Sequence, residues 1–581
     1  MLYLASILVT VLLYVMVFRT KARMKVKFSR WQKIGCVLAA VMPAWVCIGN
    51  LRIPFLYYWD YSCYYNMQLG LENNFSENAV EGAKTFFVAL MQDDYTPLIN
   101  LFDAWAFALS NKTANAFVAC NFIIAVLPML ILVSTLLAYL SGKVELRHKK
   151  AFWVLGMALW FSFPLLYAAA SKGQPDFFGL NWILLILLLT LDYRFETWQS
   201  ERLLYIFVAV VMLILTRRWY MYWLVGYLAC YAVLELLWLI GRYRSHQAWK
   251  KPLRNALCYL VLCAGVGMLA LHKLIFRILA YDYSEHYASY LGGGLGQELQ
   301  SQAWHYGLLY MVVMAAGIIY GTYKTELRAL TWSSVGTFGI AIFLFTRVQN
   351  MDVHQSLLLL MPAMTLVFVG IMGLCSLRGK AVCGVTGAVL LAGSLAQGMS
   401  QHVNGSVPYL LSDAKAYREE RTDFADVQKV ADWIRNHVGE NEMAYMIPHG
   451  SPYNPDVFRS IDLPDTYVRD HLYYGSAVLG THEFPEGLLT AKYVITSDPL
   501  CDIGLATKYN DAFLNGPAKT KFELVETMDF ENGYTFYFYE RSQPYDREEI
   551  AYYRNLTAEE NEKFPELYGA VLDRLEKELE A

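Results

Sequence analysis

The stretch NAFVACNFIIAVLPMLILVSTLLAYLS, residues 115–141, carries no charged side chain in 27 positions. About 20 consecutive apolar residues take an α-helix across the hydrocarbon core of a bilayer, so this segment reads as a membrane span. Eleven further segments read the same way: 1–18, 34–53, 151–170, 176–192, 203–216, 219–240, 256–280, 308–323, 329–345, 356–377 and 381–399. The composition agrees. Hydrophobic residues make up 56% of the 581-residue chain and charged residues 17%, against roughly 25% charged in a soluble domain. A net charge of −3 gives no reason to expect a nucleic-acid partner. Most of the ten cysteines sit in apolar runs, and no C-x-x-C or cysteine–histidine spacing suggests structural zinc.

The apolar blocks stop at residue 399, and residues 400–581 read as an ordinary soluble sequence. The fold class expected is therefore a polytopic α-helical membrane protein of about 12 spans with a C-terminal soluble α/β domain. Within the tail, DVQKVADWIRNHV (426–438) has helical apolar spacing, and MAYMI (443–447), KYVITS (492–497) and YTFYFYE (534–540) read as strands. Thr557 and Glu560 stand at capping-box spacing for a final helix. Residues 1–18 lack the leading positive charges and cleavage site of a secretory signal and read as a retained helix with its N-terminus outside.

Lysine and arginine set the expected orientation. Alternate connections at 19–33, 143–150, 193–202, 242–254, 324–328 and 378–380 carry 22 of them, while the opposite set holds 6. The first set is expected in the cytoplasm of a plasma-membrane protein. The loop 54–114, the turn 171–175, the loop 281–307 and the tail from 400 are then extracytoplasmic. Late in the first outer loop, TPLINLFDAWAFAL (96–109) is apolar but short, and reads as an interfacial or re-entrant helix with Asp103 on its polar side. The GGGLG run (292–296) and His286 suggest a flexible cover.

Ionisable residues at membrane depth are costly and mark function by default. The outer set draws on distant segments: Asp60, Lys84, Asp93, Asp94, Asp103, Asp176, Arg217, Arg218, Lys273, Arg277, Arg347, Asp352 and His354. Asp60 lies in the aromatic stretch YYWDYSCYYN (57–66). A carboxylate beside aromatic walls can serve as a general base, and a pair such as Asp93 and Asp94 can hold a divalent cation, though no ligand set is complete. Asp176 and Asp94 can equally cap helices. The arginines and lysines suit a phosphate or pyrophosphate; the alternative is snorkelling to lipid phosphates. The tyrosines around Asp60 fit either an interfacial anchor or a sugar-stacking wall.

The order of these features resembles the GT-C superfamily of integral membrane glycosyltransferases, nearest the protein O-mannosyltransferase and aminoarabinose transferase branch. The resemblance rests on WDY (59–61), YTPL (95–98), QPDFF (174–178), TRRW (216–219) and RVQNMDVHQSLLLLMP (347–362), in that order over residues 34–399. It implies a catalytic domain over 1–399, an extracytoplasmic domain over 400–581, and sugar transfer from a polyprenyl-phosphate-linked donor to a lipid, glycan or protein acceptor. It also implies Asp60 as general base and Asp176 as its support. Lys84, Arg217, Arg218, Lys273, Arg277, Arg347 and His354 become candidates to hold the donor phosphate. A lipid-linked glycan polymerase or ligase, or a glycolipid flippase, would use the same carriers and stays open as an alternative.

Overall fold

The computed structural model describes residues 1–93, 95–286, 292–376, 380–399, 410–461, 466–473, 484–502, 506–560 and 564–580. The chain forms two compact units. The larger comprises Met1–Ile53, Cys63–Tyr281 and Gly292–Arg418, and the smaller comprises Pro54–Ser62, Asp282–Leu291 and Glu419–Ala581.

Helices account for most of the chain. The first are α1 (Leu2–Arg23), α2 (Arg30–Ala39) and α3 (Val41–Arg52). The connection that follows is largely helical, with α4 (Asp60–Glu77), α5 (Ala79–Gln92) and α6 (Leu98–Phe107). Next come α7 (Ala114–Leu140), α8 (Lys149–Phe161), α9 (Leu165–Ala168), α10 (Asp176–Thr190), α11 (Ser200–Thr216), α12 (Tyr220–Arg244) and α13 (Lys250–Ala280). After α14 (Tyr283–His286) the helical run closes with α15 (Gly294–Tyr323), α16 (Thr325–Phe345), α17 (Leu357–Ser376) and α18 (Lys380–Met399).

Among the described residues, nine helical segments are long and apolar enough to cross a membrane. Helices also form at the other three expected positions, but α10, α11 and α18 are shorter or less apolar. The reason is visible in α10. All fifteen of its residues are buried, so it is apolar all round because protein surrounds it. α17 is similar, with 89% of its apolar window buried, whereas α13 buries only 11% and keeps an apolar surface. Hydropathy rates both kinds alike; burial separates interior helices from those presenting a face to lipid.

The glycine run 292–296 does not form a flexible cover: Gly294 opens α15, which continues through a kink at Gly307 to Tyr323. Positive φ at Gly293, Gly294 and Gly307 is what those glycines supply. Residues 287–291 and the side chain of His286 lie outside the described set. Asp103, expected on a polar face of α6, is fully buried with its helix neighbours Phe102 and Ala104.

α15 and α17 meet backbone to backbone. A Cβ on Gly317 would stand 2.0 Å from the Leu366 carbonyl oxygen, and one on Gly370 would stand 2.2 Å from that of Val313. Small residues at such crossings let helices approach closely in lipid, where apolar burial gives no preference for protein over solvent.

In the smaller unit, β1 (Ala444–Met446), β2 (Leu472–Tyr473), β3 (Tyr493–Asp498), β4 (Phe522–Asp529) and β5 (Thr535–Arg541) form one mixed sheet ordered β2-β1-β3-β5-β4. β1 runs parallel to β2 and β3, while β5 pairs antiparallel with β3 and β4. The helix Phe424–His437 buries Val427, Val430, Ala431 and Ile434 against this sheet, as its spacing requires. Thr557 does not cap a final helix: it lies inside the helix Arg547–Glu560, its hydroxyl donating to the Tyr553 carbonyl at 2.9 Å.

Replacing Gly370 by leucine is expected to destabilise the helical unit by about 1–3 kcal/mol or more, the range for overpacking. Thermal unfolding in detergent measures it, with the exposed Gly265→Leu on α13 as the control that leaves the midpoint nearly unchanged.

Candidate functional site

Two tight turns of the larger unit build the site. Gly173, in the left-handed region at φ 82°, ends a short 3-10 turn, and Pro175 then leads Asp176 into the first position of α10. The second turn, Arg217–Trp219, joins α11 to α12. Asp176 does not cap α10 through its side chain. Its carboxylate instead meets the second turn: Trp219 Nε1 donates to Oδ1 at 3.0 Å, and Arg217 Nε stands 3.4 Å from Oδ2. The Tyr220 hydroxyl donates to the Asp176 carbonyl at 2.5 Å. That closeness has a steric condition, since a Cβ on Gly179 would lie 2.3 Å from the Tyr220 ring.

Asp176 is 0% exposed and Arg217 2% exposed, so both charges have left water and the carboxylate depends on the cation beside it. The Arg217 guanidinium lies over the Trp219 ring at 3.8 Å and the Tyr64 and Tyr95 rings at 5.2 and 5.3 Å. Its Nη1 donates to the Tyr64 hydroxyl at 2.6 Å. Such stacking suits the planar guanidinium better than an ammonium. Arg218 is also buried, with Nη2 donating to the Asp93 carbonyl. Thr96 donates to the Leu215 carbonyl, and Asn100 Nδ2 donates to the Tyr64 carbonyl at 2.8 Å, which ties the YTPL segment and α4 to the same cluster.

The loop before α17 completes the surround. The His354 ring lies 5.4 Å from that of Trp219, and its Nδ1 is 2.8 Å from Asp352 Oδ2. This loop is held from behind by Glu298, 1% exposed on α15. Glu298 accepts from the Met351 N–H at 2.9 Å and from Gln302 Nε2 at 2.9 Å.

Of the residues expected from sequence, the structure thus gathers Asp176, Arg217, Arg218, His354 and the Asp93 backbone. Lys84 sits exposed on α5 and pairs with Glu81 at 3.0 Å. Arg347 lies exposed over the Phe343 ring, and Lys273 is exposed on α13, four residues before the half-buried Arg277. Asp94 lies outside the described residues, and among those described no three His, Cys, Asp or Glu side chains group to hold a metal ion. Tyr64, Tyr95, Trp219, Glu298 and Gln174 also belong to this surround, and no charge pattern or spacing marks them in the sequence. Tyr95 and Trp219 lie in the quoted motifs, and Tyr64 lies in the aromatic stretch. Gln174 is 1% exposed with neither side-chain polar atom hydrogen-bonded, which no sequence pattern announces.

Asp60 belongs to the smaller unit with the rest of Pro54–Ser62. It is half-buried at the first position of α4, where a carboxylate also favours the helix dipole. The preceding residues are anchored in that unit. Leu56 joins its core, the Ser460 hydroxyl donates to the Tyr57 carbonyl, and the Trp59 N–H donates to Asp456 Oδ2 at 3.0 Å. Burial pushes the Asp456 carboxyl up, against the opposing pull of Arg459. The Trp59 ring lies 6.4 Å from that of His449, whose imidazole burial holds down to about 4 from 6.5.

No known protein family matches this chain, and a search of curated proteins finds no match.

Arg217→Met, which leaves the Asp176 carboxylate buried without its cation, is expected to cost about 3–5 kcal/mol. The double variant with Asp176→Asn should recover a large part in the same thermal-unfolding assay. In the smaller unit, the unfolded chain takes a proton at His449 that the folded form refuses between pH 6.5 and about 4. Stability from this group is therefore complete above pH 6.5 and is lost as the pH falls toward 4. His449→Asn should flatten that part of the stability–pH curve relative to wild type, read by denaturant unfolding at each pH.

Proposed function

We propose that the protein is a multi-pass membrane glycosyltransferase of GT-C type, acting at the extracytoplasmic face of a plasma membrane. It moves a sugar from a polyprenyl-phosphate donor to an acceptor hydroxyl. The observation that carries this reading is the meeting of Asp176, Arg217, Arg218 and His354 from separate segments in an aromatic-walled cluster. A buried cationic pair set in tyrosine and tryptophan suits a ligand that joins phosphate to a sugar ring.

In this reaction the acceptor oxygen attacks the anomeric carbon, and the bond from that carbon to the phosphate oxygen breaks. The electron pair leaves on the phosphate, and the acceptor's proton passes to a general base, the role the GT-C resemblance gives to Asp60. Positive charge fixed beforehand stabilises the leaving phosphate most, because nothing need reorganise as charge develops. Asp176 serves to fix Arg217, and Gln174 offers an unused donor and acceptor two residues away. Lys84, Lys273, Arg277 and Arg347 are left to the approach of the carrier headgroup.

The test is transfer of radiolabelled sugar from a panel of polyprenyl-phosphate sugars in proteoliposomes. Wild type should label an acceptor, and Asp60→Asn should lose about two orders of magnitude or more, the range for a general base. Equal rates would remove Asp60 from the chemistry. Label entering only a growing lipid-linked glycan would make the protein a polymerase, and no transfer from any donor would refute the reading.

A further inference from the structure

A cavity of about 230 Å³ opens at the other end of α10 from Asp176. α10 carries Asp176 at its start and Thr190 at its end, fourteen residues later, which is about 21 Å at the helical rise. The Thr190 end of the cavity therefore lies well away from Asp176, at the end where the lysine- and arginine-rich connections gather.

Its walls come from α7, α10, α12, α16 and α17. The interior is amphipathic. The Trp223 and Tyr227 rings stack at 4.8 Å and stand with Leu187 and Met361, while Thr190 and Tyr227 share a hydroxyl hydrogen bond at 2.5 Å. The rim is charged on both sides, Lys143 and Arg194 against Asp192 and Glu326, with Arg194 already paired to Glu235 of α12 at 2.5 Å. Lys143 pairs with Asp192 at 2.8 Å with both side chains at least a third exposed, so this pair can exchange partners at little cost. Beside the cavity, Val233 and Leu237 of α12 and Trp332 of α16 stand exposed, as lipid-facing side chains do.

We infer that this cavity binds the headgroup and glycerol region of a zwitterionic phospholipid taken from the bilayer. Two cations and two carboxylates line the rim. An anionic lipid would satisfy the cations and be repelled by the acids, and a cationic amphiphile the reverse. One phosphate with one ammonium answers both. The phosphate sits toward Lys143, the ammonium toward Asp192 and Glu326, and the aromatic floor receives the first methylenes. The volume falls below the ~300–1,000 Å³ of drug-sized pockets, which suits part of a lipid with its tails left in the membrane.

The experiment uses the full chain in mild detergent with equal amounts of phosphatidylethanolamine and phosphatidylglycerol of identical acyl chains, read by native mass spectrometry. Wild type should keep the ethanolamine lipid over the glycerol lipid by about fivefold, the ratio one exposed ion pair supplies. Asp192→Asn with Glu326→Gln should abolish or reverse the preference, and Ser334→Trp, which fills the cavity, should lose the bound lipid. Equal retention in wild type and Ser334→Trp, or preference for the glycerol lipid in wild type, overturns the inference. Should the tryptophan variant fail to fold, a photoactivatable phosphatidylethanolamine on wild type decides. Labelling of peptides within 187–194 or 326–337 supports the site, and labelling confined to other segments overturns it.

Discussion

The contact between Arg217 and Asp176 is the constraint on which the helical unit's organisation turns. Neither charge reaches water, and the buried Asp176 carboxylate depends on the guanidinium beside it. To hold them together the chain brings the start of α10 against the turn between α11 and α12. Gly179 stays small so that Tyr220 can reach the Asp176 carbonyl. Tyr64 from α4 and Tyr95 from the YTPL segment then close over the guanidinium. A single arginine so placed orders four segments that are distant in sequence.

The same helix explains why the two ends of the unit differ. α10 is buried along its whole length and can act as a rigid post. At its start the side chains contributed by neighbours are aromatic and cationic around one acid. At its end they form an open, charge-balanced rim over an aromatic floor. Because α12 begins beside Asp176 and also lines the cavity with Trp223 and Tyr227, both ends share the same two helices. Glu298 does comparable work for the loop before α17, holding the Met351 backbone and so the segment that carries His354 to Trp219.

Much of this architecture was legible in the sequence, because long apolar runs leave few alternatives to membrane helices. Arg217 and Arg218 stood out by breaking the charge bias, and both are buried at the turn that faces Asp176. Other features were hidden for definite reasons. The burial of Asp103 is one, since amphipathic spacing says nothing about helices covered on all sides. The glycine run read as a loop, although glycines with positive φ here begin and kink a helix. β2 has only two residues and β4 exposes most of its side chains, so neither shows a buried alternating pattern. The aromatic stretch around Asp60 looked like an interfacial belt, yet Leu56, Tyr57 and Trp59 anchor it in the smaller unit through partners some four hundred positions away. Long-range contacts of that kind leave no periodic trace.

The most direct measurement is a cryo-EM structure of the protein in nanodiscs with a polyprenyl-phosphate sugar or its phosphate product bound. Phosphate density is expected within hydrogen-bond distance of Arg217 or Arg218, with the sugar against Tyr64, Tyr95 or Trp219. Density for the phosphate at a site remote from both arginines, with the Arg217–Asp176 pair and its aromatic cage unchanged, would contradict that expectation.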